Sequence, residues 1–107
     1  MFARKLSIHL KPNALAEFNR TFEQEVLPLL RKQKGFKDEI TFAVPGGNDV
    51  LAISLWDNRQ NADAYDTSTY KNILKMLGNV LDKEPTIETS EVLYSTIPER
   101  VPRVSAA

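Results

Sequence analysis

The sequence predicts an α+β domain with a β-α-β-β-α-β order, the ferredoxin-like plan in which a four-stranded antiparallel sheet carries helices on one face. Three observations lead there. Residues 2–10 alternate apolar and polar in steps of two. Residues 15–29 and 70–81 repeat apolar positions in steps of three or four. Between them, Pro45-Gly46-Gly47-Asn48-Asp49 separates two β-rich stretches.

In the opening strand, Phe2, Leu6, Ile8 and Leu10 share one face, with Lys5, Ser7 and His9 on the other. Pro12-Asn13 ends it, and Asn13 is expected to cap the next helix by accepting an orphan backbone N–H. Leu15, Phe18, Phe22, Val26 and Leu29 form that helix's apolar stripe. Pro28 lies inside the stripe. It lacks an N–H and crowds the carbonyl one turn back, so a kink is expected near Gln24 or Glu25. Arg31-Lys32-Gln33-Lys34 before Gly35 reads as a helix C-terminus, with cations at the negative end of the dipole.

Phe36, Ile40, Phe42 and Val44 are predicted to share one face of the first hairpin arm. The second arm, Val50 to Trp56, is apolar on both faces, as a central strand covered on both sides would be. Asp57 or Asn58 can cap a helix over residues 59–65. Tyr70, Ile73, Leu74, Leu77 and Leu81 mark a further helical stretch ending near residues 80–82, so the second helix is broken in two. After Pro85, Thr86 to Ile97 alternates weakly and favours a last strand.

The 107 residues suit one domain, expected over residues 1–97, with residues 98–107 as an extended tail. Lysine plus arginine and aspartate plus glutamate stand at 14 each, giving no global field to draw in nucleic acid or an anionic membrane. The absence of cysteine excludes a disulfide framework, a thiolate metal site and a cysteine nucleophile; the single histidine excludes a multi-histidine metal site. Residues 1–10 lack the apolar core of a signal peptide, and no apolar run approaches the roughly 20 residues that span a bilayer. An intracellular, cytoplasmic protein is therefore expected.

Helices cover only one face of such a sheet. Yet Leu51, Ile53 and Leu55 oppose Val50, Ala52 and Trp56 on the second arm. A bare apolar sheet face of a few hundred Å² is abnormal for a soluble monomer. Two sheets packed face to face remove it, so a twofold homodimer is expected.

The helix ending in Leu27-Pro28-Leu29-Leu30-Arg31-Lys32-Gln33-Lys34-Gly35-Phe36, the strand ending in Leu55-Trp56, and the short broken helix with Tyr70-Lys71 together resemble the antibiotic-biosynthesis-monooxygenase-like group of dimeric α+β barrels. The resemblance spans residues 2–97. It implies two ferredoxin-like units paired into a dimeric α/β barrel, a pocket between sheet and helices, and oxygenation of a small aromatic or quinol-like substrate without cofactor or metal. By the same resemblance Trp56 lines that pocket, Asn58 is the nearest asparagine to it, and Tyr65 or Tyr70 supplies a tyrosine. Where the haem-degrading branch carries a histidine this chain has Asp66 and Thr67, so haem ligation is not expected.

Of the side chains that bear chemistry, His9 alone titrates near neutrality when unperturbed. It can act as a general base, or it can be a hydrogen-bonded strand residue at a dimer rim. Trp56 can wall an aromatic site or pack as core. The expected catalytic residues are His9, Trp56 and Tyr70, with Phe22, Trp56, Asn58 and Tyr65 binding substrate. Asp57, Asp63 and Asp66 suit a helix start without a metal. The basic run before Gly35 is a solvated helix end, and Gly46-Gly47 is a turn. Two classes of function follow: a cofactor-independent monooxygenase, or a non-catalytic dimeric module that binds a small ligand or assembles.

Overall fold

The computed structural model describes residues 1–98. The chain runs β1 (Phe2–His9), α1 (Leu15–Thr21), a π-helical segment (Phe22–Val26), α2 (Leu27–Arg31), β2 (Phe36–Ala43), β3 (Asp49–Trp56), α3 (Arg59–Ser68), α4 (Tyr70–Met76) and β4 (Thr86–Glu91). The strands form one four-stranded antiparallel sheet in the order β2-β3-β1-β4, the predicted ferredoxin-like plan. Most of the expected tail, residues 99–107, lies outside the described residues.

Alternation sorts the strand side chains into two rows. The inner row holds Phe2, Leu6 and Ile8 of β1 and Val50, Ala52 and Trp56 of β3, and it packs on Phe18, Phe22, Val26 and Leu30 from the first helical stretch. Ala62, Tyr65, Tyr70 and Ile73 of α3 and α4 complete this core. The outer face carries Ile40, Phe42 and Leu51, at 40%, 51% and 37% exposure.

The break expected near Pro28 is the π segment. The Leu27 N–H reaches back to the Phe22 carbonyl, and Pro28 sits in the first turn of α2, where its missing donor costs least. Asn58 caps α3 as predicted, its side-chain oxygen accepting the Asn61 N–H at 2.9 Å.

Five expectations are corrected. Asn13 does not cap α1. It sits at φ 63°, a left-handed conformation that asparagine tolerates better than most residues, and Ala14 takes the cap position with no side-chain bond. Leu15 stays exposed, so the buried stripe begins at Phe18. Phe36 does not share a face with Ile40 and Phe42. A β-bulge between Phe36 and Asp38 leaves Lys37 as the extra residue, with its Nζ 3.1 Å from Asp57. Phe36 therefore packs on Trp56 inside while Ile40 and Phe42 turn outward. The last strand ends at Glu91 instead of Ile97, and α4 ends at Met76, short of residues 80–82.

Candidate functional site

The inner row of β1 contains one charged residue, Arg4, between Phe2 and Leu6. It is 2% exposed. Burying a guanidinium demands partners. Its Nη2 donates to Asp66 Oδ1 at 2.7 Å, and its Cζ lies 4.1 Å from the Tyr70 ring centroid and 5.1 Å from that of Tyr65. Below it the aromatics form a ladder. Tyr70 and Tyr65 centroids are 6.4 Å apart, Tyr65 and Trp56 4.9 Å, and Trp56 and Phe36 5.7 Å in an edge-to-face pair. The Trp56 Nε1 donates to Ser54 Oγ at 2.9 Å. The Tyr70 hydroxyl is buried without a hydrogen-bond partner among the described residues.

A cavity of about 30 Å³, roughly one water molecule's worth, lies between sheet and helices and touches Arg4, Phe22, Glu39, Ser54 and Tyr65. Beside it a groove of about 510 Å³ runs between the first helical stretch and β2, lined by Phe18, Phe22, Glu39 and Thr41. Phe22 and Glu39 border both spaces, so they form the partition between groove and cavity.

Burial sets the electrostatics. It raises both tyrosine hydroxyls above their ordinary value, partly opposed by the Arg4 charge, so both stay neutral donors at physiological pH. Burial also lifts the Glu39 carboxyl to about 7, opposed by a hydrogen bond from Thr41 and assisted by the charge of Asp38. A fixed cation beside neutral phenols suits an oxyanion on an aromatic ring. Among the described residues no group of three metal-ligating side chains occurs, and no helix is long and apolar enough to cross a membrane.

The predicted site residues divide. Trp56, Tyr65 and Tyr70 come together, and Phe22 walls the cavity beside them. Trp56 is 0% exposed with its N–H already donated, so it supports Tyr65 from behind instead of lining the pocket. His9 is placed elsewhere: β1 alternation turns it to the outer face at the strand's far end, where its Nδ1 bonds Asp49. Asn58 is occupied as the α3 cap. Arg4 and Glu39 were not predicted. A charge inside the apolar row of β1 was the available signal for Arg4. Glu39 gave none, because an unbulged β2 would have turned it away from the core.

Comparison with solved structures agrees with this architecture. The chain is similar to a protein of unknown function from Nitrosomonas europaea (18% identity, TM-score 0.77, covering 92% of this chain and 95% of that one). It is also similar to the ActVA-Orf6 monooxygenase of Streptomyces coelicolor, solved with nanaomycin D (14% identity, TM-score 0.74, 92% of each chain). A third match is SnoaB, a cofactor-independent oxygenase from Streptomyces nogalater (15% identity, TM-score 0.73, 92% of this chain and 97% of that one). No family model matches the sequence, and no curated protein matches it. The fold is thus the ferredoxin-like α+β fold of antibiotic biosynthesis monooxygenases, as the resemblance implied.

Proposed function

We propose that the protein is a cofactor-independent monooxygenase for a small, acidic aromatic of the anthrone or quinol type, working as a homodimer. One observation carries it: a ligand-sized groove shares Phe22 and Glu39 with an inner cavity on which a buried guanidinium lies against tyrosine faces. In such chemistry the substrate supplies the electrons. Its anion passes one to O₂, the radical pair joins at carbon as a hydroperoxide, and loss of water leaves a carbonyl. One oxygen atom ends in product and the other in water. The protein's part is to seat the substrate in the groove and stabilise its anion through the Arg4 charge behind Phe22 and Glu39. Two solved oxygenases with this fold add support.

Oxygen uptake with a panel of anthrones and quinols tests the proposal. Consumption matched to carbonyl product is expected, and Arg4→Met should lower it at least about 100-fold. No uptake with any member overturns it. The second reading, a dimeric binding or assembly module, is favoured by one feature, the near-filled inner cavity. It predicts a dimer that consumes no oxygen.

A further inference from the structure

The cluster around Arg4 can hold an anion, but its one carboxylate, Asp66, is engaged in the Arg4 ion pair and lines neither the cavity nor the groove. His9, the chain's sole histidine, faces the other side of the sheet. The two tyrosines keep their protons. The remaining ionisable side chain on the inner cavity is Glu39.

We propose that Glu39 is the catalytic base of this site, taking the proton from an acidic C–H or O–H of an aromatic seated in the outer groove. Three geometric observations carry this. First, the bulge at Lys37 turns Glu39 onto the inner row, where it pairs with Ser54, which pairs in turn with Arg4. Base and cation thus stand on one line across the sheet, separated by a hydroxyl. Second, Glu39 borders the groove and the cavity alike, so a ligand in the groove meets its carboxylate before it meets Arg4. Third, the Thr41 hydroxyl donates to the carboxylate, 2.8 and 3.0 Å from its two oxygens, and fixes it.

The step balances simply. The proton passes to a Glu39 oxygen, and the electron pair stays on the substrate as an enolate or phenolate in the groove, with the Arg4 charge on the far side of Glu39 and Phe22. A carboxyl titrating near 7 is matched to this task at neutral pH. The charged and titratable groups around it are Arg4 from β1, Tyr65 from α3, Arg20 and Glu23 along the groove, Arg31 of α2, and Lys37 and Asp38 on its own strand. The inference takes its ligand class from the oxygenase proposal but does not need oxygen to react.

That independence supplies the test. Anthrone is incubated with protein in D₂O buffer without oxygen, and deuterium entering its methylene is followed by mass spectrometry, with oxygen uptake measured separately in air. The protein should accelerate exchange above the buffer rate, along a limb rising with pH through about 7. Glu39→Gln should lower exchange at least about 100-fold and abolish the limb. Thr41→Val should keep exchange but move the limb to higher pH, because the bond that favours the charged carboxylate is gone. Anthrone affinity, read from Trp56 fluorescence, should stay within about threefold in Glu39→Gln, showing an intact site. Exchange that persists in Glu39→Gln, or none above buffer in the natural protein, overturns the assignment. Exchange that needs Glu39 without oxygen uptake sustains it and removes the oxygenase proposal alone.

Discussion

A buried arginine paired with a half-exposed aspartate is an asymmetric arrangement, and the asymmetry can be measured. The Arg4 side chain is 3% exposed and that of Asp66 50%. Removing Arg4 leaves a carboxylate that water can solvate, whereas removing Asp66 leaves a guanidinium that water cannot reach. Arg4→Met, which keeps the packing against Tyr65 and Tyr70, should cost within about 1 kcal/mol, and Asp66→Ala about 3 kcal/mol, in urea unfolding. Glu39 makes a second residue-scale case. Its carboxyl is raised from 4.5 to about 7 on folding, so the folded state prefers it protonated. Its favourable contribution is complete below pH 4.5 and is lost as pH rises through 7. Allowing for its access to the groove, Glu39→Gln should gain about 2 kcal/mol on the natural protein between those limits, read from urea midpoints along a pH series. Only part of this site was legible beforehand. Trp56, Tyr65 and Tyr70 announce themselves as aromatics at the right elements, while Arg4 announces itself only once the alternation of β1 is trusted over its charge. His9 misled because a histidine attracts notice by its pKa, and pKa does not say which face a strand residue occupies.

At the scale of elements, two irregularities position everything that matters. The π segment places Phe22 on the cavity, and the bulge at Lys37 brings Glu39 inward. The bulge could not be read from the sequence. Phe36, Ile40 and Phe42 are all apolar at even positions, so a regular strand fits them perfectly well; the one-residue slip becomes visible only through pairing with Trp56 and Leu55. The proline did mark the helix break, since a missing donor has a local consequence wherever it sits. Gly35, which joins α2 to β2, was equally readable as a stop signal. It sits at φ +80°, its carbonyl accepts the Asp57 N–H at 2.8 Å, and an added Cβ would lie 2.3 Å from the Asn61 side-chain nitrogen. The amide can swing aside, but the Asn61 Cβ, 2.7 Å from the added carbon, cannot, so a shift of α3 against Gly35 adds to the left-handed penalty. Gly35→Ala should destabilise by more than about 2 kcal/mol in thermal or urea unfolding without changing the fold seen by circular dichroism.

The molecule as a whole has one face it cannot cover with its own helices. Ile40, Phe42, Val44 and Leu51 stand exposed on the sheet's outer side, the last three around a concavity of about 570 Å³ that also touches His9 and Asp49. A second copy related by a twofold axis would set this face against itself, as we propose. Phe42, at 51% exposure, is the largest apolar group there and lies on β2 at the sheet's edge. It belongs neither to the core cluster nor to the side chains packed against it, so replacing it separates association from folding. In a twofold interface each substitution appears twice, and Phe42→Lys would place two ammonium groups in an apolar contact, where desolvation and like charge both oppose association. Sedimentation equilibrium should therefore give a dimer for the natural protein and a monomer for Phe42→Lys, with the circular dichroism of the folded state kept. Because only the natural protein gains from association, its unfolding midpoint should rise with protein concentration and that of the variant should not. A natural protein that is monomeric at tens of micromolar, or a variant that dimerises as well as its parent, would remove the sheet face from the interface.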